Sequence, residues 1–287
     1  MITKKKLIKK FIIGSANFYQ KYGADSIKIK KKEIEKILEL SLNYNINKID
    51  TAHSYIKKNS FFKKISDQFE FITKLKPNKH WISKDYSQKN LQIHMQQFKN
   101  HKVDTLMFHD VDILFKKNGE KIFQNFEVFK KKYFKKIGVS IYDLNSLGYL
   151  LDRYNVDVVQ CPYNIIDKRL ITSGWYETLK KRKIETHVRS VFLQGLLVNR
   201  LVYKKKYFKK WKQKFSEWFD YIENKNLSPI DYCLSDLLNF DFDKVVIGIN
   251  NYNHLNEILN FKKVNLNNNV LNFKKNDLKL IDPRNWK

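Results

Sequence analysis

What the chain has little of narrows the reading first. It has two cysteines, Cys161 and Cys233, too few for a disulfide framework or a cysteine metal site, and fitting a reducing compartment. No apolar run approaches the roughly 20 residues that cross a bilayer. Near the start, Lys4-Lys5-Lys6 and Lys9-Lys10 are followed only by Phe11-Ile12-Ile13 before Gly14, so the apolar core of a signal peptide is missing. The expectation is a cytoplasmic protein without a membrane span. Arginine is also scarce. Of 56 basic residues only six are Arg, the rest Lys, and the formal charge is +27. Arg is the usual bidentate reader of bases and phosphates. Lysines scattered through every helix therefore read as a solvated surface that attracts anions weakly, with no specific nucleic-acid partner.

What is present is a strand followed by a helix, repeated. Among the 287 residues, 43% are hydrophobic, with 21 Phe and 16 Tyr, enough for a large core. Near-continuous apolar runs at 11–14, 48–51, 69–73, 103–108, 136–140, 156–160, 184–190 and 244–248 predict strands. One-sided apolar stripes predict helices between them, for example Ile34, Ile37, Leu38 and Leu42. A short helix is expected at Phe61 to Ile65, and a last one at Tyr252 to Asn260. Eight such units imply a parallel sheet closed as a single-domain (β/α)8 barrel, a fold that commonly runs to about 250 residues. Two segments exceed the repeat: Gln194 to Asn226 after the seventh strand, and a tail from Phe261 to Lys287. Tyr203 to Phe219 mixes seven aromatics with lysines. It reads as a helix packing its aromatics on the barrel, with a membrane-surface role as the rival.

Three consecutive strands end in ionisable side chains: Asp50, Lys74 and His109. Tyr55 lies in the loop after Asp50. In such barrels the carboxyl ends of the strands carry the chemistry. When hydride reaches a carbonyl carbon, the developing alkoxide needs a proton and a donor. A phenol with an ordinary pKa of about 10 is a poor acid at neutral pH. A neighbouring ammonium lowers that pKa, and a carboxylate holds the ammonium charged. Tyr55 is then the acid, Lys74 its tuner, Asp50 the partner of Lys74, and His109 the donor that orients the carbonyl oxygen. The simpler alternative is an Asp50–Lys74 ion pair plugging the barrel, with Tyr55 as loop packing.

At these residues the chain resembles the aldo-keto reductase family, which carries Asp, Tyr, Lys and His in this order on this barrel. Ile49-Asp50-Thr51-Ala52 through Tyr55 is similar to its first signature, and Tyr22-Gly23 begins the similarity. The resemblance implies a nicotinamide cofactor, NADP or NAD, and a small-molecule carbonyl substrate. It implies a cofactor site made by Ser140 of the fifth strand and Gln160 of the sixth, the latter facing the nicotinamide amide. Arg189, Ser190, Gly195 and Leu196 follow along the seventh strand and its loop, then Gly248, Asn250 and His254 after the eighth. The wording around Tyr22-Gly23 and Arg189 to Leu197 is most like bacterial members found with surface-polysaccharide and nucleotide-sugar enzymes, which implies a polar or sugar-derived substrate.

Several positions depart from the family. Tyr55 is followed by Ile56-Lys57-Lys58-Asn59-Ser60 where Gly and then Ser-Glu are usual. Arg189 stands where many members stack an aromatic on the nicotinamide. After the eighth strand only His254 is offered where Lys or Arg usually reads the NADP phosphate; abundant surface lysine still inclines the balance to NADP. The alternatives are a cofactor-binding barrel with weak chemistry and a regulatory or scaffold role, or an anion- or nucleic-acid-binding protein using the lysine face.

Overall fold

The computed structural model describes residues 1–24, 26–55, 65–98, 101–267 and 277–286. Eight strands are present: β1 (Phe11–Gly14), β2 (Lys48–Asp50), β3 (Glu70–Leu75), β4 (Val103–Phe108), β5 (Lys136–Ser140), β6 (Val158–Pro162), β7 (Glu185–Arg189) and β8 (Lys244–Gly248). Each is parallel to the next, and β8 returns to β1, so the sheet closes into a barrel in chain order. With no free sheet edge, every strand is covered by helices outside and by side chains within.

The helices form where an apolar stripe meets a capping side chain. Ser83 accepts from the Tyr86 N–H ahead of Lys84–Met95, Ser228 caps Pro229–Leu237, and Asn251 caps Tyr252–Leu259. Each satisfies a backbone donor that a helix start leaves open. The helix expected at Phe61 to Ile65 lies outside the described residues except for Ile65. Leu144 to Leu151 opens as a 3-10 turn, Leu144–Ser146, before the helix Leu147–Arg153. The stretch Lys4–Ile8, for which no element is predicted from the sequence, is a helix: Thr3 caps it, and Leu7 and Ile8 are buried among the lysines. None of the helices among the described residues is long and apolar enough to cross a membrane.

Alternation along the strands separates two apolar sets. Ile12, Ile72, Met107, Val158 and Val246 meet inside the barrel, while the residues between them pack outward on the helices. Gly138 is required inside: a Cβ there would lie 2.8 Å from Met107 Cγ and 3.0 Å from the Val158 carbonyl oxygen. Charges close the amino-terminal end. Lys48 bridges Glu70 at 3.0 Å and Asp104 at 3.1 Å, and Lys136 reaches Glu185 at 2.6 Å.

The two extra segments pack on each other. Tyr203 to Phe219 is not one helix but the 3-10 turns Val202–Lys204 and Lys206–Trp211 followed by the α-helix Lys212–Asn224. Its aromatics Tyr203, Phe208, Trp211, Phe215, Trp218 and Phe219 are buried, so they belong to the core and not to a membrane-facing stripe. Trp211 Nε1 donates to Asp277 at 3.0 Å, Tyr207 Oη donates to the Lys279 carbonyl at 2.8 Å, and Phe208 meets Trp286 edge-on at 4.9 Å. The tail is thereby held across the carboxyl-terminal end of the barrel.

Candidate active site

Register places the ionisable strand ends on one rim. Gly14 pairs with both Asp50 and Gly248, Ser140 with Gln160, and Pro162 with Arg189. Asp50 and Lys74 point inward and are 6% and 4% exposed, and they form a direct ion pair. Lys74 also donates to the Thr51 carbonyl at 3.3 Å, while the second Asp50 oxygen accepts from Gln160 Nε2 at 2.8 Å. Both charges are thus compensated, as burial demands. The Ser15 hydroxyl holds the Asp50 carbonyl at 2.9 Å, and the His53 N–H donates to the Lys74 carbonyl at 2.9 Å. These bonds clamp the loop that carries Tyr55. The Tyr55 ring stands edge-on to His109, with centroids 6.1 Å apart at 82°, and to Tyr22 at 6.3 Å.

Burial dominates the electrostatics here. It pushes the Tyr55 phenol above its ordinary value, with Tyr22 and Asp50 adding to the shift and Arg189 opposing it. The Lys74 ammonium is lowered by burial first, against the pull of Asp50. Burial, then Lys74, holds His109 down to about 4, so the imidazole is neutral at pH 7. The tuning of Tyr55 by Lys74 expected from the sequence takes a different form. Asp50 offsets the ammonium, burial wins, and the cation that favours the phenolate is Arg189.

Asp50, Tyr55, Lys74 and His109 line one cleft together with Ser140, Gln160, Arg189, Ser190, Gly195, Gly248, Asn250 and His254. Leu196 does not: it is fully buried in the core, because the turn before it directs the chain inward. That turn holds Ser190, Leu193, Gln194 and Gly195 at φ of 62, 44, 53 and 94°. Three non-glycine residues in the left-handed region are costly and collect at functional loops. The Ala24 N–H donates to the Gln194 carbonyl at 2.9 Å, joining this turn to the Tyr22-Gly23 loop. The altered stretch Ile56 to Ser60 lies outside the described residues. Tyr142, Asn17, Phe192 and Asn199 also line the cleft and were not singled out from sequence. Only the fold brings them there.

Two buried side-chain atoms on this wall have no partner among the described residues: Gln160 Oε1 and His254 Nε2. Gln160 spends its amide nitrogen on Asp50, leaving an acceptor open. His254 Nδ1 accepts the Asn250 N–H at 3.2 Å. Burial holds this imidazole down to about 4, so the neutral ring carries its proton on Nε2 and leaves a donor open. An open acceptor beside Asp50 and an open donor at His254 fit an elongated ligand with an amide at one end and oxygens farther along. A nicotinamide nucleotide has that chemistry.

A closed parallel barrel carries a buried carboxylate–ammonium pair, a phenol and an imidazole together at one cleft. The chain belongs to the aldo/keto reductase family, whose model matches residues 10–273. Among solved structures it resembles an aldo-keto reductase from Bacillus halodurans in its holo form (TM-score 0.68, 16% identity, covering 89% of this chain and 88% of that one). It also resembles a glycerol dehydrogenase from Gluconobacter oxydans (TM-score 0.65, 13% identity, covering 96% and 92%). At such identity these likenesses show the fold. No curated protein matches the chain. Family membership supports carbonyl–alcohol chemistry with a nicotinamide cofactor in general.

Proposed function

We propose that this protein is a cytoplasmic enzyme, acting as one domain over residues 1–287, that reduces a polar or sugar-derived aldehyde or ketone to the alcohol. The observation that carries this reading is the compensated Asp50–Lys74 pair beside Tyr55 and His109, on a cleft whose open polar atoms suit the cofactor. A bound nicotinamide supplies the hydride. The chain's own residues handle the oxygen. Neutral His109 and Tyr55 donate to it and fix its direction. Tyr55 stays protonated until negative charge develops and then gives up its proton. Lys74, paired with Asp50, stays beside the phenolate left behind, and Arg189 is the cation that favours it. Gln160 Oε1 receives the carboxamide, and His254 Nε2 donates farther along the cofactor.

An outer cleft shares Tyr22, Tyr55, Lys74 and His109 and continues past Trp81, Tyr86, Phe115, Asp110, Asp112 and Asp143. Aromatic faces with carboxylate acceptors between them suit a hydroxylated substrate. On cofactor choice, the lysine-rich surface draws NADPH by long-range attraction. The wall near His254 supplies no Lys or Arg of its own among the described residues.

The test is to follow NADPH or NADH absorbance with a panel of carbonyl compounds, beside Tyr55→Phe. Turnover falls by roughly 10² to 10⁴ in the variant while cofactor binding persists. Equal turnover removes Tyr55 from the mechanism. Absence of cofactor binding in both proteins sinks the assignment.

A further inference from the structure

The chain has only six arginines, and five of them have a carboxylate partner: Arg153 with Glu120, Arg169 with Asp167, Arg182 with Asp152, Arg200 with Asp220 and Glu223, and Arg284 with Asp282. The sixth, Arg189, stands on the cleft wall and has no carboxylate partner among the described residues. The one hydrogen bond of its guanidinium there runs from Nη2 to the Ile141 carbonyl at 3.0 Å. A guanidinium has five N–H donors, so most of this fork is unassigned. A half-buried cation without a counter-ion is costly, and Lys74 nearby adds repulsion to that cost.

The surroundings hold this guanidinium in place without neutralising it. Its Cζ lies 3.9 Å from the Tyr142 ring centroid, and that of Arg284 lies 4.1 Å from the same centroid. Two guanidinium groups cannot share one ring face at that distance, so Tyr142 is sandwiched between them. Arg169 Nη1 fixes the Tyr142 carbonyl at 3.1 Å. Three of the six arginines thus converge on one tyrosine. Two bring their own aspartates, Asp167 and Asp282, and the third is left facing the cleft that holds Tyr55, Lys74 and His109. A stacked planar fork with free donors is preorganised for an oxyanion.

Resting on the carbonyl reduction argued above, we propose that the substrate carries an oxyanion, a carboxylate or a phosphate. It pairs with Arg189 while the reacting carbonyl engages Tyr55 and His109. Tyr142, Arg284 and the tail position Arg189 and do not touch the anion. The cofactor phosphates are the less fitting partner, because Arg189 shares its end of the cleft with Tyr55 and His109. A ribose separates the reacting nicotinamide from the first phosphate.

The experiment compares kcat/KM for matched pairs, succinate semialdehyde against butanal and glyceraldehyde 3-phosphate against glyceraldehyde, in the parent, Arg189→Gln and Arg189→Lys. NADPH and NADH affinity is measured for each protein by fluorescence. Calorimetric titration of succinate and of inorganic phosphate into the cofactor complexes gives a readout independent of turnover. We expect one anionic member to be preferred by about 10- to 100-fold, the size of a lost hydrogen-bonded charge. The pair that responds distinguishes carboxylate from phosphate. The preference falls toward one in Arg189→Gln, is partly kept in Arg189→Lys, and the matching anion binds at least 10-fold more weakly in Arg189→Gln. Equal kcat/KM for charged and neutral members in the parent overturns the inference and leaves the reductase reading standing. So does a loss of cofactor affinity in Arg189→Gln as large as the loss of preference. If no carbonyl compound turns over, the reductase reading fails, and this inference with it.

Discussion

Lys74 keeps its charge inside the barrel through one carboxylate and one carbonyl, and Asp50 in turn rests on Lys74 and Gln160. Removing one member of such a pair leaves the other charge buried and nearly unpaired. Lys74→Met is therefore expected to cost about 3–5 kcal/mol of stability, read as a lower urea midpoint at unchanged slope. Activity makes a separate prediction at this scale. Tyr55 is held above its ordinary value and His109 near 4, so neither group changes protonation between about pH 5 and 9. The kcat/KM for reduction should be flat over that range at saturating cofactor. An alkaline fall beginning near pH 7 would assign the proton to another acid. Asp50, Lys74 and His109 were legible because each ends an apolar run, and strand ends of a barrel share a rim. The place of Arg189 was legible too. Its missing counter-ion and its stacking on Tyr142 were not, since Tyr142, Arg189 and Arg284 meet only through the closed fold.

The excursion after β7 and the carboxyl-terminal tail act as one element. The tail has no sheet to join, and Trp211, Tyr207 and Phe208 dock it so that Arg284 reaches Tyr142. Trp211→Phe keeps most of the packing but removes the indole donor from Asp277. The expected loss is about 1–2 kcal/mol, concentrated in the tail. Limited proteolysis should cleave near 277–286 before any cut in the barrel, whereas cleavage rates equal to the parent's would show that the tail is held by other contacts. The strand–helix alternation was readable because parallel strands buried on both faces are continuous apolar runs. The helix Lys4–Ile8 was not, since four of its first seven neighbours in sequence are polar or charged and only Leu7 and Ile8 are buried. The aromatics of Tyr203 to Phe219 announced burial but not the breaks at Lys205 and Trp211. Their spacing is compatible with either helix type, and the Lys205 backbone, extended at ψ 147°, interrupts the run.

Over the whole molecule, the formal charge of +27 hides an ordered interior. The amino-terminal end of the barrel is closed by lysines paired to Glu70, Asp104 and Glu185. Burial holds four imidazoles below an ordinary 6.5: His94, with His53 adding, at about 3, His109 and His254 at about 4, and His187 in the same direction. Between pH 6.5 and 4 the unfolded chain binds protons that the folded chain refuses, so stability rises with pH there and is lost as pH falls. Glu185, lowered to about 2 from 4.5 chiefly by its hydrogen bond from His187, contributes stability that is present above pH 4.5 and lost as pH drops toward 2. Both effects run the same way, and added positive charge on an already cationic surface reinforces them. The urea midpoint should therefore decline steadily from pH 6.5 downward, well before carboxylates of ordinary pKa titrate. Replacing His94 by Gln should flatten the upper part of that decline. A midpoint unchanged from pH 7.5 to 5 would mean that these imidazoles accept protons within the folded barrel.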